Sequence, residues 1–444
     1  MRSLITRLLP MLSPERLGGQ ALFGFSLRLW GAVASFLFSL LITRSLGAAG
    51  SGYFAIAITS VTVVSYFVLC GLDYTVVRVA AGDLREGKRG EAWGAIRLAA
   101  IIILILGPVL AGLLWLLRQP FATDVLQQPQ MANVLAIMAW AMIPLALQRI
   151  ASGALRVMGR TVTSQLIDGP LGTTLTALAM AWAVLQGQAG SILVPVTLHL
   201  AGATLSCVLA WVLVRRAVSG WPKPVTPAAL PLMAAGVPIL LSNLSGIFTE
   251  WYTTVAIGMY WPVETVGLYR VAWQFVALAS LVQVMMDTLV GPRIAAAGRV
   301  GDKAEIASIA RKAMAVSVLL GAPLFLLFFT VPEWLMSIFG PEFRSGAVIL
   351  QILALGQLAR VASGPAGTIL VMTGNQRWIL AYSGLGVLLC VAFAALLIPR
   401  YGAVGAAWAT TATMALRHMI AALIVDRVLG IKVFRRDGGG PAAS

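Results

Sequence analysis

The sequence predicts an all-α polytopic membrane protein of twelve transmembrane helices, arranged as two six-helix bundles. Three observations carry this. The chain has 444 residues, of which 59% are hydrophobic and only 11% charged, where a soluble domain is nearer a quarter charged. Apolar runs of about 20 residues, the length that crosses a bilayer, recur from residue 20 to the C-terminal tail. Finally, the basic residues fall almost entirely in alternate loops.

The expected spans are 20–43, 52–72, 93–117, 131–150, 165–185, 190–214, 236–259, 266–290, 313–337, 346–372, 378–398 and 402–426. Pro144 and Pro170 interrupt the fourth and fifth, which membrane helices tolerate when neighbours satisfy the freed backbone groups. Twenty-three Lys and Arg lie at the termini and in the even-numbered loops, against Arg44, Arg118, Arg344 and Arg400 in the odd-numbered loops. That asymmetry places both termini in the cytoplasm. The net charge of +16 is therefore a topology signal and no mark of a nucleic-acid partner. Residues 1–19, with Arg2, Arg7 and Arg16 among apolar side chains, read as an interfacial segment and not a cleaved signal.

The halves read as copies. Shifted by 215 residues, the segment from Arg78 falls on that from Arg293, with Lys88 on Lys303 and Ala92 on Ala307. Six spans per half give both copies one orientation, which implies a pseudo-two-fold axis along the membrane normal. The expected organisation is 1–19 interfacial, 20–214 N-terminal bundle, 215–235 cytoplasmic linker, 236–429 C-terminal bundle and 430–444 cytoplasmic tail.

Several function classes drop out. No Gly-rich phosphate loop ends in Lys-Ser/Thr. Cys70, Cys207 and Cys390 all sit in apolar runs and frame neither a disulfide nor a metal site. No cofactor is expected. A membrane-embedded glycosyltransferase or polymerase would need a large extracytoplasmic loop, and no loop exceeds about 20 residues, too short for a domain. The protein is therefore not expected to be an enzyme.

Charges inside the spans mark candidate function, because each costs about 2.5–3.5 kcal/mol at mid-bilayer on insertion scales. Arg28 sits on a small and polar face of the first span with Gly24, Gly31, Ser35 and Ser39. Arg270 lies early in the eighth span, Arg360 in the tenth and Arg417 in the twelfth. The seventh carries Asn243 and Glu250 on one polar face. Glu250 has two readings: the partner of an Arg, or a cation or proton site. His199 and His418 read as packing residues. Surplus positive charge suits a pyrophosphate, whose oxygens a guanidinium binds bidentately. An exporter of organic cations would want the opposite sign.

Four runs carry a resemblance: LITRSLGAAGSGYFAIA (41–57), VETVGLYRVAWQFVALA (263–279), FGPEFRSGAVILQILALGQL (339–358) and LIPRYGAVGAAWATTAT (397–413). In this order they resemble the polysaccharide-exporter, O-antigen flippase branch of the multidrug/oligosaccharidyl-lipid/polysaccharide (MOP) superfamily. The resemblance implies movement of an undecaprenyl-pyrophosphate-linked oligosaccharide from the cytoplasmic to the periplasmic leaflet of a bacterial inner membrane, by alternating access. It also implies membrane lipids as surroundings, and a polymerase and glycosyltransferases as partners. A cation-coupled multidrug exporter of the same superfamily is the alternative.

Overall fold

The computed structural model describes residues 18–433. Residues 1–17 of the expected interfacial segment lie outside the described residues, as do Arg435 and Arg436 of the tail.

Among the described residues the chain is helical, with no strand. Eight stretches are long and apolar enough to cross a membrane, or nine when the bent pair Ala229–Leu241 and Asn243–Tyr260 counts as one span. Length and composition alone therefore do not reach the expected twelve. Two reasons are visible. Phe23–Arg85 and Arg377–Arg427 run 63 and 51 residues, far more than a hydrocarbon core of about 30 Å needs at 1.5 Å per residue. Both contain a break at a glycine, Gly47 (φ 65°) in α1 (Gly18–Leu69) and Gly402 (φ 55°) in α15 (Gln376–Arg427), a conformation that a side chain at Cβ disfavours; the first breaks again at Cys70 and Gly71. The expected fifth span is divided into α6 (Thr161–Ile167) and α7 (Pro170–Leu185), the latter of only 16 residues.

The chain clusters into two compact units. The first takes in the chain up to Leu41, Val64–Leu116 and Ala136–Ile239; the second takes in Ile42–Val63, Leu117–Leu135 and the chain from Leu240.

In the first unit, α1 packs closely on α6 and α7. A Cβ on Gly24 would stand 2.4 Å from Gln165 Oε1, and one on Gly31 would stand 3.2 Å from Pro170 Cγ. The small residues beside Arg28 thus admit neighbouring helices. Trp30 Nε1 donates to Thr174 Oγ1 at 2.9 Å. The expected linker is seated on the start of α3 (Arg89–Pro120). Val225 N–H donates to Gly90 C=O at 3.0 Å. A Cβ on Gly94 would lie 1.8 Å from Val225 O, so only glycine lets the strap lie there.

α9 (Ala229–Tyr260), which is the bent pair, belongs to the second unit from Leu240 and turns at Trp261–Pro262 into α10 (Val263–Arg299). Trp261 Nε1 donates to Ile398 C=O at 2.9 Å, and its ring covers Gly402. Arg44 donates from Nε and Nη2 to Ile338 C=O at 3.0 and 2.7 Å. That carbonyl follows α12 (Pro332–Ser337), and cations suit a helix C-terminus. Phe275, Phe328, Phe339 and Phe343 form a buried aromatic cluster beside it.

Candidate functional site

A cleft of about 190 Å³ opens within the second unit, lined by Glu250 of α9, Tyr269 of α10, Arg360 of α13 (Ala347–Ala362) and Arg417 of α15. α9 also contributes Ser245, Thr249 and Thr253, and α15 contributes Ser383, Thr410 and Thr413.

On α9 the hydroxyls turn back onto their own helix. Thr253 Oγ1 donates to Thr249 C=O at 2.9 Å, and Thr254 Oγ1 to Glu250 C=O at 2.7 Å. Back-bonding of this kind lets Thr sit in an apolar helix without an unsatisfied donor. The Glu250 carboxylate accepts from Arg270 Nη1 in an ion pair, both side chains about one-third exposed. Of the two readings of Glu250, the structure shows the Arg partner.

Arg360 ends α13 and has Asp287 of α10 as its carboxylate neighbour, with Arg417 as a second, repulsive neighbour. Asp287 is itself held, accepting from Thr368 Oγ1 at 2.9 Å and Gln283 Nε2 at 3.3 Å. Arg417 has no carboxylate among its charge neighbours, which are Tyr382 and Cys390. Its buried Nε has no hydrogen-bond partner. Gly386 leaves room for its stem, since a Cβ there would lie 3.1 Å from Arg417 Cδ. Tyr269, 3% exposed, pairs its hydroxyl with Thr410 Oγ1 at 2.9 Å.

The structure thus brings Glu250, Arg360 and Arg417 to one cleft, with Arg270 bound to Glu250. It does not bring the other two expected residues there. Asn243 lies two turns before Glu250 on α9, outside the cleft lining. Arg28 belongs to the first unit and is exposed, and its charge acts on Asp168. Asp168 also pairs with Arg156 at 3.6 Å. Nearby in that unit, Arg149 Nη1 donates to Tyr66 Oη at 2.5 Å and lies 4.6 Å over its ring. His199 is stacked on Phe38. Among the described residues no cluster of His, Cys, Asp and Glu could hold a metal ion.

Sequence reasoning missed Tyr269, Ser383, Thr410 and Thr413 as cleft residues. The triplet of threonines in WATTAT was a legible signal, because three hydroxyls in an apolar helix need partners.

The profile described as polysaccharide biosynthesis protein matches residues 41–345. The chain belongs to that family. Among curated relatives, a probable low-salt glycan biosynthesis flippase, Agl15 of Haloferax volcanii, is 25% identical over 194 residues, 44% of this chain and 41% of the relative. The aligned part therefore spans about two fifths of that relative. Among solved structures, an inward-facing multidrug resistance MATE transporter of the MOP superfamily superposes with a TM-score of 0.77 at 13% identity, covering 91% of this chain and 96% of that one. The lipid II flippase MurJ in its inward closed conformation gives 0.74 at 13% identity, covering 92% and 87%. This member of the polysaccharide biosynthesis family therefore has the helical, multi-pass fold of MOP superfamily transporters.

Proposed function

We propose that the protein is a flippase. It moves an undecaprenyl-pyrophosphate-linked oligosaccharide repeat unit from the cytoplasmic to the periplasmic leaflet of a bacterial inner membrane, by alternating access, for polysaccharide or O-antigen biosynthesis. On this reading Phe23–Arg85 and Arg377–Arg427 each make two crossings. With α6 and α7 together making one more, the chain then has twelve, in two six-helix bundles joined at 215–235, with both termini cytoplasmic. A polymerase and glycosyltransferases would act beside it.

One observation carries the choice of substrate. In the cleft Glu250 is engaged by Arg270, which leaves Arg360 and Arg417 as the charges facing the opening. A membrane-embedded surplus of guanidinium favours an anionic head group and disfavours an organic cation. Arg28 would supply a further contact from the first unit, and Asn243 a neutral one from α9. The family match supports the polysaccharide pathway.

The test is reconstitution in vesicles with a fluorescent polyprenyl-pyrophosphate oligosaccharide and a reductant that quenches only the outer leaflet. Protein-dependent exchange of the pyrophosphate lipid, with none for an organic cation dye, is the expected result. Transport of the dye alone would reverse the assignment in favour of a multidrug exporter.

A further inference from the structure

We propose that the cleft of the second unit is a site for a compact inorganic anion, chloride or phosphate, held between Arg360 and Arg417 with no lipid substrate required. The charges of this region do not balance without one. Arg270, Arg360 and Arg417 face two carboxylates, Glu250 and Asp287. Glu250 is taken by Arg270. Asp287 is the carboxylate neighbour of Arg360 and accepts hydrogen bonds from Gln283 and Thr368. Arg417 is left with a phenol and a thiol, both un-ionised at neutral pH. Its Nε is buried without a partner, and its charge repels that of Arg360. Buried cations are ordinarily paired, because the protein interior replaces so little of their hydration. An anion between the two guanidinium groups would relieve the repulsion and supply the missing acceptor.

The donors present fit an anion. Thr253 and Thr413 have spent their hydroxyl protons on Thr249 and Ala409 carbonyls. Tyr269 and Thr410, which share a hydrogen bond in which either hydroxyl can donate, both line the cleft. Ser383 lines the same space. All lining residues come from one unit.

The experiment uses the purified full-length chain in phosphatidylcholine nanodiscs. Unfolding temperature is followed in chloride, phosphate and gluconate at constant ionic strength. Chloride or phosphate should raise it saturably over gluconate, as a ligand that binds only the folded state does. Arg417→Met should erase the difference and in gluconate unfold no earlier than wild type, because it removes an uncompensated cation. Arg417→Lys should keep the response with affinity weaker by about tenfold, and the exposed Arg85→Gln should leave it intact. A wild-type protein indifferent to the anion would overturn the proposal. So would a response surviving in Arg417→Met, or one that follows the anionic-lipid content of the disc and ignores the salt. Bromide-soaked crystals provide an independent readout: anomalous density between Arg360 and Arg417 is expected, and a cleft empty of bromide counts against the site.

Discussion

Gly52 and Gly267, 215 positions apart, form a reciprocal contact inside the second unit. A Cβ on Gly52 would lie 2.0 Å from the Val263 carbonyl oxygen, and one on Gly267 would lie 2.1 Å from that of Ala48. Ala48 and Val263 are also 215 apart. This is the register in which the two halves of the sequence match, so equivalent pieces of the repeat meet through equivalent atoms. Neither backbone could approach so closely past a side chain.

Alanine at either position should therefore separate the two segments. Gly52→Ala and Gly267→Ala are each expected to destabilise by about 1–3 kcal/mol, the usual range for overpacking, read as a lower unfolding temperature in detergent. Gly82→Ala is the control, since no atom lies within 4 Å of its Cβ position; it should be neutral or stabilising.

The Glu250–Arg270 pair should behave as a unit. Glu250→Gln and Arg270→Met each strand a charge in a partly buried setting and should destabilise. The double variant should recover part of the loss, with a coupling of about 0.5–3 kcal/mol. Strict additivity would show that the pair is no more than a surface contact.

Charge reversal tests the substrate reading. Arg360→Glu and Arg28→Glu should abolish flipping in vesicles while the protein still inserts. Lys at either site should retain part of the activity, because it keeps the charge and loses the planar fork. Full activity in both Glu variants would make these residues structural.

The strap on α3 offers a test of packing. Gly94→Ala would place a methyl group on Val225 O and should lift the linker. The amide of Val225, bonded to Gly90 C=O, should then lose its protection in hydrogen exchange. Unchanged protection would mean that the strap shifts without detaching.

Energy supply is the last expectation. A pyrophosphate head leaving a negative cytoplasm gains about 2.3 kcal/mol per charge per 100 mV. Flipping should accelerate when an inside-negative potential is imposed. Rates indifferent to potential, dependent on a sodium or proton gradient and lost in Glu250→Gln, would point to ion coupling instead.

Much of this was legible beforehand, and the limits have identifiable causes. The apolar runs and the loop asymmetry foretold a multi-pass helical protein because bilayer thickness and positive-inside topology act on composition, residue by residue. Arg28, Glu250, Arg270, Arg360 and Arg417 stood out because a charge within an apolar run is conspicuous. The glycines were ambiguous. Gly24 and Gly31 looked like part of a wet polar face, yet they admit Gln165 and Pro170.

By itself, then, the sequence determined the helical, multi-pass membrane fold and the short roster of charges within its apolar runs. These follow from one-dimensional patterns measured against a solvent of known thickness. Only the tertiary structure decided that Glu250 takes Arg270 among four candidate arginines, that Asp287 is the carboxylate neighbour of Arg360, and that Arg417 has none. Pairing depends on which helix faces meet within a few ångströms, and helix rotation and bending at Gly47 or Gly402 settle that through packing. Spacing along the chain carries no such information.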